Sequence, residues 1–162
     1  MKVRIFRAEL PGDAQLLSEL DHKIFGQGDA FDPEDFELNS RCFFVSVDGN
    51  IVGSVMIEEH VTVGKDYDDC EKPDQGSFYI ASIGFIPEWQ GKGIGSIVLG
   101  RLIELARKEG FMKMVANMRK SNLRSIALHE KFGFNNVSVV PNYYEDPVED
   151  SVVMELKLRA GA

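Results

Sequence analysis

The chain has 162 residues, 44% hydrophobic and 27% charged, the size and balance of one globular domain, 1–162, able to hold a core without disulfides or a structural metal. Its 18 Lys and Arg against 26 Asp and Glu leave a formal charge of -8. This argues against nucleic acid, whose phosphates demand a basic excess, and suits a cationic partner. No apolar run approaches the roughly 20 residues of a membrane span, and Arg and Lys interrupt Met1 to Leu10, so no membrane insertion or secretion is expected. Cys42 and Cys70 fit neither a redox pair nor a zinc cluster, and a reduced, cytoplasmic protein without a metal is expected.

Val3 to Phe6 reads as a short strand, and Pro11-Gly12-Asp13 as a turn and cap for a helix to about Phe25, with Leu16, Leu17, Leu20 and Ile24 at helical spacing. Gly26-Gln27-Gly28 should end it, and Asp32-Pro33-Glu34 should open a short second helix. Cys42 to Val47 and Ile51 to Val63 form a hairpin about Asp48-Gly49-Asn50, whose residues tolerate positive φ. The acidic stretch Gly64 to Gly76 lacks calcium-loop spacing and reads as a solvated loop.

The nearly unbroken apolar run Ser77 to Ile86 predicts a strand buried on both faces, ended by Pro87. A helix from Gly93 to Glu109 follows, with Ile94, Ile97, Val98, Leu102, Leu105 and Ala106 at spacings of three and four. Then come a strand over Lys113 to Met118, a helix from a Ser121 or Asn122 cap to Phe132, and strands over Val137 to Val140 and Ser151 to Leu158. The order predicts one α/β domain with a mixed sheet, parallel where the long helix crosses over.

Between the buried strand and that helix lies Gln90-Gly91-Lys92-Gly93-Ile94-Gly95-Ser96. Glycines there allow close backbone approach, and first-turn N–H groups with the helix dipole suit a phosphate or pyrophosphate, to which Lys92 adds a cation. The dinucleotide fingerprint fails at Ser96, and the P-loop pattern fails at Gly93.

Gln90, Gly93 and Gly95, after Ile83-Gly84-Phe85-Ile86-Pro87, resemble the Q/R-x-x-G-x-G/A signature of the GNAT superfamily of acyl-CoA-dependent N-acetyltransferases. The match continues through Arg119-Lys120-Ser121-Asn122, Ala127-Leu128-His129-Glu130-Lys131-Phe132-Gly133-Phe134 and Asn142-Tyr143-Tyr144, and looks most like the protein N-terminal acetyltransferase branch, including ribosomal-protein alanine acetyltransferases. The resemblance implies a mostly antiparallel sheet of about seven strands with about four helices and a splayed central strand pair for acyl-CoA. It implies acetyl-CoA as donor, with Gln90 at the cofactor, Gly91, Lys92, Gly93, Ile94, Gly95 and Ser96 at its pyrophosphate, Ile83, Gly84 and Phe85 pairing with the pantetheine arm, and an amide near Phe85 as oxyanion donor. Asn122 matches a cofactor-contacting Asn, though it also suits a plain helix cap.

His129 stands where these relatives usually carry a Tyr that protonates the departing thiolate, and an imidazolium can do the same or the ring can simply pack. Asn117 replaces their usual Glu or His base, which suits an α-amino acceptor, with a reference pKa of about 7.7 to 8.0, better than a lysine near 10.4. Tyr79 matches part of a water-linked base or is a core aromatic, and Tyr143 and Tyr144 wall the acceptor channel or pack a hairpin. His22 and His60 have no partners at metal spacing, and Cys42 has no His partner for covalent catalysis. The expectation is an acetyltransferase acting on an amine-bearing peptide or protein, monomeric or homodimeric. A small cationic amine as acceptor, or a non-catalytic acyl-CoA-binding module, is the alternative.

Overall fold

The computed structural model describes residues 1–36, 41–59 and 77–158; the stretch Gly64 to Gly76 with Cys70, the end of the second hairpin strand, and His60 lie outside them. Seven strands form one sheet in the order β1-β2-β3-β4-β5-β7-β6: β1 Val3–Arg7, β2 Arg41–Val47, β3 Asn50–Glu59, β4 Ser77–Phe85, β5 Lys113–Arg119, β6 Asn135–Tyr144 and β7 Glu149–Lys157. The α-helices are α1 Ala14–Asp29, α2 Ile94–Lys108 and α3 Leu123–Lys131. The pairs β1–β2, β2–β3, β5–β7 and β6–β7 are antiparallel, and β4–β5 is parallel because α2 carries the chain back to its start. That parallel pairing runs only from Ser77↔Lys113 to Ile80↔Ala116, covering the first part of β4.

Two compact units make up the chain, Met1–Ile57 with Ala81–Leu99, and Glu58–Ile80 with Gly100–Ala162. In the first, Leu17 and Leu20 of α1 pack with Ala8, Phe36, Cys42, Phe44 and Met56. Leu16, one residue and about 100° around the helix from Leu17, is 45% exposed instead of joining the expected stripe. Asp13 occupies the α1 cap position, yet its carboxylate turns back to accept from the Glu9 N–H at 2.8 Å. The helix breaks where expected, at Gly26 with φ 73°, and then adds a last turn to Asp29, closed by the Ala30 N–H on the Gly26 carbonyl at 3.2 Å. The expected second helix is a single 3-10 turn, Pro33–Asp35, capped by the Asp35 carboxylate on the Asp32 N–H at 2.8 Å. The hairpin turns on Asp48 and Gly49, at φ 49° and 87°, the paired positive values of a type I′ turn.

In the second unit Phe78, Ile80, Met114, Ala116, Val152 and Met154 are buried, and Phe78 packs edge-on against Phe111 at 5.2 Å. Strand β6 is longer than expected and takes in Asn142, Tyr143 and Tyr144, because an irregular register between Val140 and Tyr144, with Asn142 at φ 52°, lets the strand bend and continue. Leu102, Ile103 and Ala106 are buried on α2, while Leu105 is only half-buried, which shifts the buried stripe toward Ile103.

Candidate active site

In the first unit the end of β4 is held from two sides. Val52 of β3 accepts from the Ile86 N–H at 2.8 Å, and the Gln90 side chain donates to the Phe85 carbonyl at 2.9 Å. Gln90, expected at the cofactor, thus closes the strand end. Gly84 is a glycine for packing: a Cβ there would lie 2.5 Å from Ile24 and 2.6 Å from Phe25 of α1. Gly53 is tighter still, since its Cβ would lie 2.5 Å from the Gly84 carbonyl oxygen and 2.5 Å from the Phe85 ring.

Beyond Trp89 the chain passes through Gly91 and Gly93 at φ 74° and 82°, with nothing within 4 Å of where a Cβ would stand. Only glycine takes these angles without strain, and this backbone leads directly into the first turn of α2 at Ile94, where N–H groups lack intrahelical acceptors. An anionic group such as a pyrophosphate fits that donor set and the positive end of the helix dipole. Lys92, exposed like its neighbours, lays its ammonium over the Trp89 ring at 4.9 Å.

The first unit also buries a carboxylate that the sequence reading passed over. Asp21, 2% exposed, accepts from Ser54 Oγ at 3.0 Å, and burial first of all raises its pKa above the ordinary aspartate value, opposed by that bond. It lies four residues after Leu17 on the apolar face of α1, so the helical period alone could have flagged it.

The second unit brings polar side chains from four strands together. The register pairs Tyr79 with Val115 and Asn117 with Val153, so Tyr79, Asn117 and Ser151 share one face of the sheet by strand alternation. Tyr79 donates its phenolic proton to Asn117 Oδ1, and Asn117 Nδ2 donates to Tyr144 Oη at 3.2 Å and Ser151 Oγ at 3.1 Å. The Arg119 guanidinium lies over the Tyr144 ring at 4.7 Å, and Tyr143 meets that ring edge-on at 4.9 Å. Arg119 is itself fixed by the Glu145 carbonyl at 2.7 Å, the Pro147 carbonyl at 2.8 Å and Glu149 at 3.4 Å. Glu149 also accepts from the Ser121 hydroxyl at 2.9 Å and N–H at 3.0 Å, and the hydroxyl above all holds its pKa below the ordinary value.

On α3, Asn122 is the N-cap, its side chain accepting from the Ser125 N–H at 3.2 Å. His129 is 1% exposed and packs edge-on against Phe134 at 5.0 Å. Its Nδ1 lies 2.7 Å from the Ser125 carbonyl, which can only accept, so Nδ1 carries the proton and Nε2 of the neutral ring carries a lone pair. Nε2 is buried with no hydrogen-bond partner among the described residues. Burial holds the His129 pKa below the ordinary histidine value, with the Ser125 bond opposing. Burial thus favours the neutral ring, whose Nε2 can take up a proton before giving one up.

Residues 12–134 match the acetyltransferase (GNAT) family, and the chain belongs to it. Among relatives, the [ribosomal protein bS18]-alanine N-acetyltransferase of Escherichia coli K12 is 35% identical over 79 residues, 48% of this chain and 53% of that protein. The chain thus spans about half the length of that curated relative. The crystal structure of the ribosomal-protein-S18-alanine N-acetyltransferase from Escherichia coli superposes with a TM-score of 0.78 at 20% identity, covering 99% of this chain and 97% of that one. A Salmonella typhimurium acetyltransferase solved with its cofactor acetyl-CoA gives a TM-score of 0.72 at 22% identity, over 99% and 96% of the two chains. Both likenesses concern the fold. Among the described residues no helix is long and apolar enough to cross a membrane.

Proposed function

We propose that this chain is an N-acetyltransferase that moves an acetyl group from acetyl-CoA to the α-amino group of a peptide or protein, by direct attack of the amine on the thioester. The observation that carries this reading is the exposed Gly91 and Gly93 backbone opening into α2, in a member of the acetyltransferase family. We read 1–162 as one acetyltransferase domain acting in the cytoplasm. When bound, acetyl-CoA supplies an acyl group already activated toward an amine.

In this reading the backbone from Gly91 to Ser96 holds the pyrophosphate, Ile83, Gly84 and Phe85 hold the pantetheine arm, and Asn122 adds a contact from its cap position. An amide near Phe85 stabilises the charge that develops on the thioester oxygen. His129 takes the proton shed by the attacking amine on Nε2 and returns it to the leaving sulfur, so a ring neutral at rest suffices and the protons balance. Asn117 cannot take up a proton, and no strong base is needed for an amine whose reference pKa of about 7.7 to 8.0 leaves a sizeable neutral fraction. The net charge of -8 favours a cationic acceptor.

Twin peptides test the acceptor: one with a free N-terminus and no lysine, the other N-blocked and carrying a lysine. Faster acetylation of the free N-terminus supports the reading, and faster acetylation of the blocked twin overturns it.

A further inference from the structure

Asp21 stands on the apolar face of α1, where the helical period calls for another leucine. Its carboxylate borders a recess lined also by Leu17, Phe36, Cys42, Ser54 and Ser82, and burial is the first cause of its raised pKa. An apolar side chain of the same branched shape would remove that desolvation cost. The carboxylate does what no apolar group can. Oδ1 accepts from Ser54 Oγ of β3 at 3.0 Å, and Oδ2 accepts from the Phe31 N–H, beyond the helix end, at 3.4 Å.

These bonds bear on the end of β4. Three and four residues after Asp21, Ile24 and Phe25 close over Gly84, where a Cβ would lie 2.5 Å and 2.6 Å from them. Three consecutive residues of β3 engage the same place: Val52 accepts from the Ile86 N–H, Gly53 abuts the Gly84 carbonyl and the Phe85 ring, and Ser54 bonds Asp21. The Asp21–Ser54 bond therefore ties together the two elements that grip Gly84.

We propose, resting on the acetyltransferase reading, that Asp21 is a positioning residue: it fastens α1 to β3 and so holds Ile83, Gly84 and Phe85 in the shape the pantetheine arm requires. At 2% exposure it acts through these neighbours and not by touching acetyl-CoA.

Two substitutions at one position test this. Asp21→Leu keeps the branched shape and removes both bonds. Asp21→Asn keeps both, because its amide oxygen accepts from the Phe31 N–H while its amide nitrogen donates to the Ser54 hydroxyl. Calorimetry should show acetyl-CoA binding about tenfold weaker in Asp21→Leu, the scale of one hydrogen bond to a charged group, and parent affinity in Asp21→Asn. The Tm of Asp21→Leu at neutral pH should not fall, since the buried charge leaves with its bonds. A merely structural role would lower affinity only together with Tm. Parent affinity in Asp21→Leu, a loss of affinity that comes with a fall in Tm, or an Asp21→Asn as weak as Asp21→Leu overturns the proposal.

Amide NMR judges the clamp without ligand. The Gly84 and Phe85 signals should move in Asp21→Leu and stay in place in Asp21→Asn; unmoved signals in Asp21→Leu overturn the proposal whether or not the parent binds acetyl-CoA. A parent that binds none counts against the acetyltransferase reading separately. Should Asp21→Leu not fold, Ser54→Ala, which removes the donor from β3, decides instead: displaced Gly84 and Phe85 signals support the clamp, and parent signals overturn it.

Discussion

Replacing Gly53 with Ala places one methyl group where the structure has no room. The added Cβ would lie 2.5 Å from the Gly84 carbonyl oxygen and 2.5 Å from the Phe85 ring, against the 3.4 Å at which ordinary contact begins, so β3 and β4 must part by about 0.9 Å. A phenylalanine ring can turn aside, but a carbonyl in a strand held at Ile86 and Phe85 by two hydrogen bonds cannot. Overpacking of this kind costs about 1 to 3 kcal/mol. At roughly 2 to 4 °C per kcal/mol for a domain of this size, Tm should fall by about 2 to 12 °C. Thermal unfolding followed by circular dichroism measures the first effect. Titration calorimetry with acetyl-CoA measures a second, because the displaced segment is the one assigned to the pantetheine arm, and affinity should fall as well. A variant with the parent's Tm and affinity would show that the β3–β4 approach is not as close as stated, and the assignment of Gly84 and Phe85 would lose its support.

Gly93→Val, with φ 82° but open space around it, should fold with a backbone strain of roughly 1 to 2 kcal/mol and lose acetyl-CoA binding by calorimetry; retained affinity would remove the glycine cradle from the site. His129→Phe should lower kcat by about 10²- to 10⁴-fold with little change in acetyl-CoA affinity, and His129→Tyr should keep much of the activity; steady-state kinetics equal to the parent's would reduce His129 to packing. Because burial depresses the folded pKa of His129, the unfolded chain binds the proton first. That part of the stability is full above about pH 6.5 and is lost as pH falls through the folded pKa, so denaturant midpoints should drop more steeply below pH 6.5 in the parent than in His129→Phe. Asn122→Ala removes a cap that accepts from Ser125 and should cost about 1 kcal/mol in urea unfolding, with no loss if the cap is dispensable.

Elements whose signal is local could be read from the chain. The Asp48-Gly49 turn, the Gly26 break, the Asn122 cap and the glycine-rich entry to α2 each depend on a few neighbouring residues, and each stands where its residue types placed it. The long β4 run and the order of strands and helices were legible for the same reason. What escaped depends on register. Tyr79, Asn117, Tyr144 and Ser151 come from β4, β5, β6 and β7, and no sequence spacing brings four strands to one amide. Gly84 was legible as a special residue but not as one required by Ile24 and Phe25 of α1. The protonation state of His129 depends on its burial and on the Ser125 carbonyl, which helical spacing places nearby without revealing that the ring is enclosed.

The central claim is acetyl transfer, and mass spectrometry tests it most directly: the protein is incubated with acetyl-CoA and a panel of free-N-terminal peptides, N-blocked peptides and small amines, with free thiol measured in parallel. The account predicts one acetyl group on the α-nitrogen of a peptide and one equivalent of CoA thiol released for each. Acetyl-CoA bound one-to-one with no acetylated product across the panel would contradict it and leave a binding module in place of an enzyme.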